Sequence, residues 1–424
     1  MSLPRLLYSV ALYCLLPLIL LRLLIKSRKN KGYRLRMAER LGWVNSRSKD
    51  KKIIWLHAVS VGETIAAKPL INRLLQDYPD YSLLISSTTP TGSATVKKLF
   101  SDRVLNTYFP YDLPHSIQRF IKHINPQLLI IVETEIWPNL YAICARKNIP
   151  LLLVNARLSK KSTRQYLRLK QLVSETLSYA TLIAVRSEED RQHFFSLGAP
   201  TEKLELTGNI KFDIAVNSEV LKQGKLLKTQ WGKERPVWIT ASTHAGEDEI
   251  ILTIFKHLKQ SFPTLLLIIV PRHPERFDDV YQLISTSNYQ TQKRSDHALF
   301  QPDTDIILGD SMGEMLLWYA AADIAFIGGS LVETGGHNPL EATALGIPVI
   351  SGCHIFNFTD VYPLLCDAQV AWIEQDTNHI QQRIIKILNL SSTQRNDFKQ
   401  QCAGFMRLHQ GVVNKLSRKI KKHL

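Results

Sequence analysis

The 424-residue sequence has few cysteines, and their spacing indicates neither a disulfide framework nor a zinc site. The five are scattered, odd in number and without a CxxC pair: Cys14, Cys144, Cys353, Cys366 and Cys402. The histidines show no HExxH or comparable spacing, so neither a dedicated metal site nor another cofactor is expected. This cysteine usage favours a reducing compartment.

Acidic residues are scarce relative to basic ones, with 37 Asp and Glu against 53 Lys and Arg and a formal net charge of +16. The excess predicts an anionic partner: nucleic acid, a phosphorylated substrate or an acidic membrane surface. Nucleic acid is disfavoured, because the sequence has no aromatic-interleaved basic strand, helix-turn-helix or zinc-finger pattern. With 45% hydrophobic residues, the chain is long enough for two globular domains.

The first 30 residues contain a long apolar segment. Residues 6–21 are uncharged and mostly aliphatic, and the apolar character resumes beyond Arg22 as far as Ile25. At about 1.5 Å per residue the uncharged part spans roughly 24 Å, against about 30 Å for a hydrocarbon core. The segment therefore fits either a short transmembrane anchor or a helix lying in the membrane interface.

A basic cluster follows this segment, as expected on the cytoplasmic side of an inner membrane. Its members are Lys26, Arg28, Lys29, Lys31, Arg34, Arg36 and Arg40. Because no small-residue cleavage site precedes the cluster, a removed signal peptide is disfavoured. The sequence predicts a single N-terminal anchor in the inner membrane, with the globular part in the cytoplasm against anionic lipid.

From Lys52 onward, short apolar runs alternate with amphipathic helical stretches. Continuous apolar runs of this length, separated by helices, are typical of a parallel sheet covered on both faces. Predicted strands of the first half are residues 53–56, 83–86, 128–132, 151–154 and 182–185. Those of the second half, beyond a polar, Lys-rich interval at 209–235 without an obvious strand, are 237–240, 265–270, 306–308, 324–327, 349–350 and 370–373.

The two series predict an α/β fold of two Rossmann-like domains that face a cleft, where ligands of open parallel sheets bind. We expect a membrane anchor with a basic flank at 1–30, a first Rossmann-like domain at 31–215, and a second at 216–424 that includes the C-terminal helices.

Glu63 is the first candidate site residue, because it follows the first strand at a predicted helix start. A carboxylate at this edge can act as a general base toward a substrate hydroxyl. The helix dipole is expected to keep Glu63 ionised and so to make it a weaker base. The alternative interpretation is that Glu63 merely compensates the helix dipole.

Polar turns also follow the next strands of the first half. Thr88, Thr89, Thr91 and Gly92 offer hydroxyls and amides at a helix start, which suits a phosphate or a sugar. Glu133 and Glu135 lie on one face of a strand end, since side chains alternate with period two. Each turn alone is more often a helix cap, but their recurrence at one sheet edge favours a site.

The stretch from 308 to 352 has the pattern of a sugar-nucleotide pocket, with helices that begin beside Gly, Asn or Pro and an acidic residue. Asn338 is predicted to cap the second helix, with Glu341 at its third position. Backbone amides there can hold a phosphate while Glu341 accepts hydrogen bonds from ribose hydroxyls. In the alternative, a capping box, Glu341 only reaches back to an unpaired amide.

Arg272 and His273 follow a strand of the second half, and we place the donor's negative charge there. Ser242, Thr243 and His244 follow the strand that opens this half and are expected at the same cleft. The sequence Asp303-Thr304-Asp305 has the form of a metal-binding D-x-D motif, but it precedes its strand and so lies at the wrong end of the sheet.

These motifs together resemble the lipopolysaccharide 3-deoxy-D-manno-octulosonic acid (Kdo) transferases. The ordered matches run along nearly the whole chain: KGYRLRMAERLG, WLHAVSVGE, ISSTTPTG, YFPYD, ETEIWPN, VNARLS, GNIKFD, ITASTHAGEDE, VPRHPER, LGDSMGEM and GGSLVETGGHNPLEA. The resemblance implies an inverting glycosyltransferase of the GT-B type that moves Kdo from CMP-Kdo to a lipid A precursor (lipid IVA), without a metal.

The resemblance also implies roles for individual residues. Glu63 corresponds to the proposed general base, and Lys211 is a candidate for stabilising charge. CMP recognition maps onto Ser242, Thr243, Arg272, His273, Gly313, Glu314, Asn338 and Glu341. The acceptor side maps onto Thr88, Thr89, Thr91, Gly92 and Glu133.

Two rivals remain open from the sequence. One is another GT-B type sugar-nucleotide enzyme, such as a UDP-sugar transferase or an epimerase; the N-terminal apolar segment disfavours a soluble epimerase. The other is a lipid-binding protein with a degenerate transferase fold, against which the intact Glu63 and Arg272 argue.

Overall fold

The computed structural model describes residues 1–44, 51–296 and 300–424. The chain forms two compact units. The first comprises Met1–Asp213 together with His409–Leu424, and the second comprises Ile214–Leu408.

The first unit is built on a parallel sheet of seven strands among its described residues, in the order β3-β2-β1-β4-β5-β6-β7. The strands are β1 (Lys52–His57), β2 (Tyr81–Ser87), β3 (Leu105–Tyr108), β4 (Pro126–Val132), β5 (Leu151–Ala156), β6 (Leu182–Val185) and β7 (Leu204–Leu206). The helices are α1 (Leu3–Lys29), α2 (Met37–Arg40), α3 (Val61–Asp77), α4 (Pro90–Phe100), α5 (Pro114–Ile124), α6 (Pro138–Arg146), α7 (Lys160–Leu167), α8 (Lys170–Ser178) and α9 (Glu188–Ser196).

The second unit repeats this architecture, with seven parallel strands among its described residues in the order β10-β11-β9-β8-β12-β13-β14. The strands are β8 (Val237–Thr243), β9 (Leu266–Pro271), β10 (Thr291–Lys293), β11 (Ile306–Leu308), β12 (Ile324–Ile327), β13 (Val349–Ser351) and β14 (Ala371–Ile373). The helices are α10 (Ser218–Trp231), α11 (Asp248–Ser261), α12 (Phe277–Ser285), α13 (Met315–Ala321), α14 (Leu340–Ala344), α15 (Tyr362–Asp367), α16 (Thr377–Leu388) and α17 (Ser392–His409); α18 (Val412–Lys421) returns to the first unit.

Both faces of the first sheet are buried, which explains its continuous apolar strands. Along β1, Ile53 and Trp55 join one hydrophobic cluster, while Ile54 and Leu56 join the other. Because alternate side chains point to opposite faces, a strand covered on both sides must be apolar throughout. The fold is thus the predicted two-domain α/β arrangement.

Each sheet has a point where the strand order reverses, and ligands of such sheets bind outside the strand ends there. In the first sheet this point lies between β1 and β4, and in the second between β8 and β12. The segments after these four strands are therefore where each unit is expected to carry a site.

Sequence patterns missed three short strands, all at or near a sheet edge: β3, β7 and β10. An edge strand is paired on one side only and is partly exposed, so its side chains need not form an apolar run. The strand β10, for example, reads Thr-Gln-Lys and has no buried residue.

The structure adds one helix that the sequence analysis did not assign and corrects one domain boundary. The interval 209–235 contains α10, whose Gly224 packs so closely on Ala320 that an added Cβ would lie 2.4 Å from the Ala320 Cβ. Residues 409–424, assigned to the second domain, lie with the first unit. Their helix α18 buries Val412, Leu416 and Ile420 in the cluster of α3 and α4, and the Asp213 carboxylate accepts from the Gly411 amide at 2.6 Å.

Candidate functional site

Glu63 lies in the first turn of α3, beside the reversal point of the first sheet. Ser60 caps this helix and accepts from the Glu63 amide at 3.4 Å, while Oε2 of Glu63 accepts from the Val59 amide at 2.5 Å. The carboxylate thus reaches back over the helix start much as in a capping box, one residue further back than usual. It is held in a fixed orientation at the end of β1.

Burial raises the pKa of Glu63 to about 8, assisted by the nearby carboxylates of Glu133 and Glu135 and opposed by the Val59 and Ser60 hydrogen bonds. The expectation that the helix dipole keeps Glu63 ionised is therefore wrong. The loss of hydration destabilises the charged form of this partly buried carboxylate by more than the helix dipole stabilises it. A carboxylate with a pKa near neutrality is suited to proton transfer.

Glu133 and Glu135 follow β4, the other strand at the reversal point. Glu133 adopts a left-handed backbone conformation (φ 65°), and its Oε2 lies 3.8 Å from Nη1 of Arg157. Glu135 accepts from Nε1 of Trp137 at 2.7 Å, and burial raises its pKa to about 7. The structure thus brings three carboxylates together, of which the sequence analysis had assigned roles to Glu63 and Glu133.

The predicted acceptor segment, residues 88–92, follows β2 and joins the Glu63 segment through Val59. Both the amide and Oγ1 of Thr88 donate to the Val59 carbonyl at 3.2 Å. Thr89 caps α4 and accepts from the Gly92 amide at 3.0 Å, while the exposed Oγ1 of Thr91 donates to Thr89. A Cβ on Gly92 would lie 3.3 Å from the Val59 carbonyl oxygen, so a small residue favours this close approach.

Two basic residues border this part of the first unit. The buried Arg40 donates through Nη2 to the Thr88 carbonyl at 2.9 Å. Lys211 lies in a short 3₁₀ helix, Ile210–Phe212, which packs against α3. Lys211 thus lies on an element next to the helix that bears Glu63.

In the second unit, three histidines cluster after β8, β9 and β12. The Nε2 atoms of His244 and His337 lie 2.8 Å apart with nearly parallel rings, and His273 meets His244 edge-on at 5.4 Å between ring centroids. Burial, and after it the Arg272 cation, lowers the pKa of His337 to about 4. Arg272 and His273 therefore lie beside His244 and His337, and the sequence analysis assigned no role to His337.

Glu247 is a structural residue that the sequence analysis missed. Its fully buried carboxylate accepts from the amides of His244 (2.9 Å), Gly329 (2.6 Å), Ser330 (3.0 Å) and Leu331 (2.9 Å). These bonds fix the segment after β12 against the segment after β8. Acidic residues are common at helix starts, so its position in the sequence did not distinguish it from Asp248 and Glu249.

Ser242 and Thr243 shape the backbone at the end of β8. Ser242 has a left-handed conformation (φ 60°) at a register shift between β8 and β9. The Thr243 carbonyl accepts from Nη1 of Arg276 at 2.9 Å, and Arg276 also pairs with the buried Asp248. Arg276 is thus engaged within the fold, whereas Arg272 lies beside the histidines.

Gly313 and Glu314 precede α13, after β11. Arg294 binds the Glu314 carboxylate with two hydrogen bonds, from Nε at 3.0 Å and Nη2 at 2.8 Å, and Ser311 also donates to it. Gly313 has a positive φ of 91° and no neighbour within 4 Å of an added Cβ. Glu314 is therefore oriented by a bidentate ion pair at the same sheet edge.

The helix at Asn338 begins one residue later than predicted. Pro339 takes the capping position of α14, and Oδ1 of Asn338 accepts from the Leu340 amide at 3.1 Å. Glu341 is therefore the second residue of the helix, which does not match the spacing of a capping box. Burial raises the pKa of Tyr319, and the negative charge of Glu341 adds to this rise.

Two further features concern metals and membranes. Within residues 1–44, 51–296 and 300–424, no group of three or more His, Cys, Asp or Glu could hold a metal ion. In the D-x-D segment, Asp305 pairs with Lys259, with Oδ1 2.5 Å from Nζ.

In the described chain, residues Leu3–Arg28 form one helix long and apolar enough to cross a membrane.

Known proteins match both halves of the chain. The family profile "3-Deoxy-D-manno-octulosonic-acid transferase (kdotransferase)" matches residues 35–214, and "Glycosyl transferases group 1" matches residues 244–403. A 3-deoxy-D-manno-octulosonic acid transferase of Haemophilus influenzae is 45% identical over 91% of this chain and 91% of its own length. The corresponding protein of Bordetella pertussis is 36% identical over 83% and 84%.

A solved UDP-GlcNAc 2-epimerase of Neisseria meningitidis shares the fold at 14% identity, covering 88% of this chain and 99% of its own, with a TM-score of 0.55. With its two parallel-sheet units, the protein is a glycosyltransferase with the two-domain GT-B fold. Sequence identities of 45% and 36% over most of both chains also define the family within this class. The chain belongs to the 3-deoxy-D-manno-octulosonic acid transferase family.

Proposed function

We propose that this protein transfers Kdo from CMP-Kdo to a lipid A precursor, lipid IVA, at the cytoplasmic face of the inner membrane, with inversion at the anomeric carbon. The observation that carries the proposal is Glu63: a carboxylate fixed at a sheet's reversal point, beside the segment 88–92, with a pKa raised to about 8. Such a group can remove the proton of an acceptor hydroxyl, which the transfer requires.

In the proposed reaction, Glu63 accepts the proton of the acceptor's primary hydroxyl. The hydroxyl oxygen attacks the anomeric carbon of Kdo while the bond to the CMP phosphate oxygen breaks, and CMP leaves with the bonding electrons. A single displacement of this kind inverts the anomeric carbon.

The remaining residues receive the roles that the resemblance to Kdo transferases implies. Arg272 and His273 hold the donor phosphate, with Ser242, Thr243, Gly313, Glu314, Asn338 and Glu341 completing the CMP site and Lys211 stabilising charge. Thr88, Thr89, Thr91, Gly92 and Glu133 form the acceptor side. The basic excess and the apolar α1 suit a phosphorylated lipid substrate and an anionic membrane.

The test is a comparison of Glu63→Gln with Glu188→Gln. Glu188 is also an acidic residue in the first turn of a helix, but it is exposed on α9, so its variant controls for loss of charge at a helix start. Mass spectrometry of lipid IVA after incubation with CMP-Kdo reports the added sugar, and CMP release reports turnover.

We expect Glu63→Gln to lose about 10²–10⁴-fold in turnover and Glu188→Gln to keep it. Near-normal turnover of Glu63→Gln would remove Glu63 from the mechanism. Release of UDP from UDP-sugars in place of CMP would favour the rival sugar-nucleotide enzyme, and lipid binding without any turnover would favour the non-catalytic protein.

A further inference from the structure

The apolar helix α1 is hydrogen-bonded to the first unit at its N-terminal end. Ser2 donates to the Glu175 carboxylate on α8, and Nη1 of Arg5 lies 3.6 Å from Glu175 Oε1 and 3.4 Å from the Tyr179 hydroxyl. These residues are one helical turn apart and therefore share a face of α1. This face is directed at the folded unit.

The same face continues into a buried polar network. The Tyr8 hydroxyl donates to the buried carboxylate of Asp112, and the buried Ser9 donates to Oδ1 of Asn139 at 3.1 Å. Asn139 in turn donates through Nδ2 to the Asp112 carbonyl at 2.7 Å. Removing α1 would take one hydrogen bond from the Asp112 carboxylate and the Ser9 partner from Oδ1 of Asn139, and each buried polar group left unsatisfied costs about 1–3 kcal/mol.

The other end of α1 is held on the same unit. Immediately beyond it, the Gly32 carbonyl accepts from the Tyr108 hydroxyl at 3.3 Å, and a Cβ on Gly32 would lie 2.7 Å from the Pro90 side chain. Four residues on, Nη1 of Arg36 donates to Oδ1 of Asn106 at 3.1 Å. The chain therefore leaves α1 in contact with the first residue of α4.

These contacts decide between the two membrane arrangements that the sequence left open. A helix of 27 residues is about 40 Å long, and a spanning helix would place its ends on opposite sides of a hydrocarbon core of about 30 Å. The chain beyond the C-terminal end of α1 contacts the first unit, and so do Ser2 and Arg5 at its N-terminal end. Spanning would therefore require breaking these N-terminal contacts and the network at Tyr8 and Ser9.

The opposite face of α1 is apolar and exposed. Leu3, Leu7, Val10, Leu18, Leu21 and Ile25 recur on successive turns, and Leu3, Leu7 and Leu18 are more than 60% exposed. Arg22, Lys26 and Arg28 are exposed toward its C-terminal end. An apolar stripe with basic residues beside it matches a bilayer surface with anionic headgroups.

We propose that α1 lies along one leaflet, with its polar face bound to the first unit and its apolar face inserted into an anionic lipid surface. The inference rests on the membrane attachment of the proposed function and specifies its geometry. It also places lipid beside the acceptor segment, since Gly32, three residues beyond α1, packs against Pro90 within that segment. A lipid acceptor then reaches residues 88–92 from the leaflet in which the helix lies.

A first experiment tests contact with the first unit in native membranes. In full-length protein with Cys14 and Cys353 replaced by Ser, the pair Ser2→Cys and Glu175→Cys is oxidised in membrane vesicles. The matched control is Leu3→Cys with Glu175→Cys, because Leu3 points away from the unit. We expect several-fold more intramolecular disulfide for the Ser2 pair; equal, background formation for both would overturn the inference.

A second experiment asks which side of the membrane residue 3 faces. Leu3→Cys in the same background is exposed to a membrane-impermeant maleimide in intact spheroplasts and again after detergent solubilisation. We expect labelling after solubilisation only. Labelling from outside the intact spheroplast would demonstrate a spanning helix and overturn the inference.

A third experiment identifies what covers the apolar face. In Leu7→Glu/Leu18→Glu, we expect at least a tenfold loss of binding to vesicles containing phosphatidylglycerol, with CMP release retained in detergent micelles. Retained vesicle binding, or an intermolecular cross-link of Leu18→Cys showing that a second copy covers this face, would overturn the inference. If wild-type protein released no CMP from CMP-Kdo with lipid IVA, the proposed function would be contradicted, whichever way α1 lies in the membrane.

Discussion

The Glu63 carboxylate accepts a hydrogen bond from the Val59 amide at 2.5 Å, and this bond is too weak to keep the acid ionised against burial. The same side chain therefore both closes the start of α3 and remains available for proton transfer. Closing the helix start through the Val59 hydrogen bond and acting as a general base are therefore compatible roles for Glu63.

The pH dependence of turnover follows from the raised pKa of Glu63. The base acts in its deprotonated form, so kcat/KM should rise about tenfold per pH unit below pH 8 and level off above it. Initial rates of CMP release between pH 6 and 9 measure this limb. The variant Glu63→Asp should retain a limb at a changed pH, and a flat wild-type profile would contradict the assignment.

Replacing Glu247 should disturb the second unit without touching a substrate. In Glu247→Gln, an NH₂ group would face amides that now donate to a carboxylate, so the free energy of unfolding should fall by about 2–4 kcal/mol. Urea unfolding measures the loss, and the KM for CMP-Kdo should rise because the segment after β12 loosens. The exposed Glu249 provides the control variant Glu249→Gln, which should change stability by less than about 0.5 kcal/mol.

The partly buried imidazole of His337 predicts acid destabilisation. Its pKa is about 4 in the folded protein against 6.5 ordinarily, so the unfolded chain binds more protons between these values and stability is lost as pH falls through this window. Between pH 7 and 4.5, the Tm of wild type should therefore fall further than that of His337→Gln. The exposed His257 on α11 gives the control His257→Gln, which should follow wild type; equal slopes for all three proteins would contradict the prediction.

Sequence patterns predicted the parts of the fold that burial on both sides dictates, such as β1 and β4. They did not predict β10, because partly exposed edge strands carry no apolar run. They also assigned α18 to the wrong neighbour: its apolar stripe was readable, but which unit it packs on depends on contacts such as Gly411 to Asp213, far apart in the chain.

For the candidate site, the positions of several residues could be predicted from the sequence, but their protonation and contacts could not. Glu63 was predicted from its place after a strand, whereas its protonation depends on burial and on carboxylates after β4. Likewise, motif spacing pointed to Arg272 and His273, while the role of Glu247 required knowing that three amides after β12 point at it. Local sequence patterns indicate where a functional side chain lies, but its charge state and its hydrogen-bond partners depend on the packed structure.

Gly328 offers a test of how closely the two strands of the second reversal point must approach. An added Cβ would lie 2.5 Å from the Ser242 carbonyl oxygen and 2.8 Å from the Thr243 Cα, both backbone atoms that cannot rotate away. Gly328→Ala should therefore lower the free energy of unfolding by about 2–4 kcal/mol and raise the KM for CMP-Kdo.

Gly404, in α17, supplies the matched control, since an added Cβ there meets nothing within 4 Å. Gly404→Ala should stabilise the protein by about 0.5–1 kcal/mol, because alanine loses less backbone entropy in a helix. Urea unfolding and donor kinetics on both variants separate the two effects. If Gly328→Ala kept wild-type stability and KM, the end of β12 would not need to approach Ser242 so closely, and the ends of β8 and β12 would not form a rigid donor site.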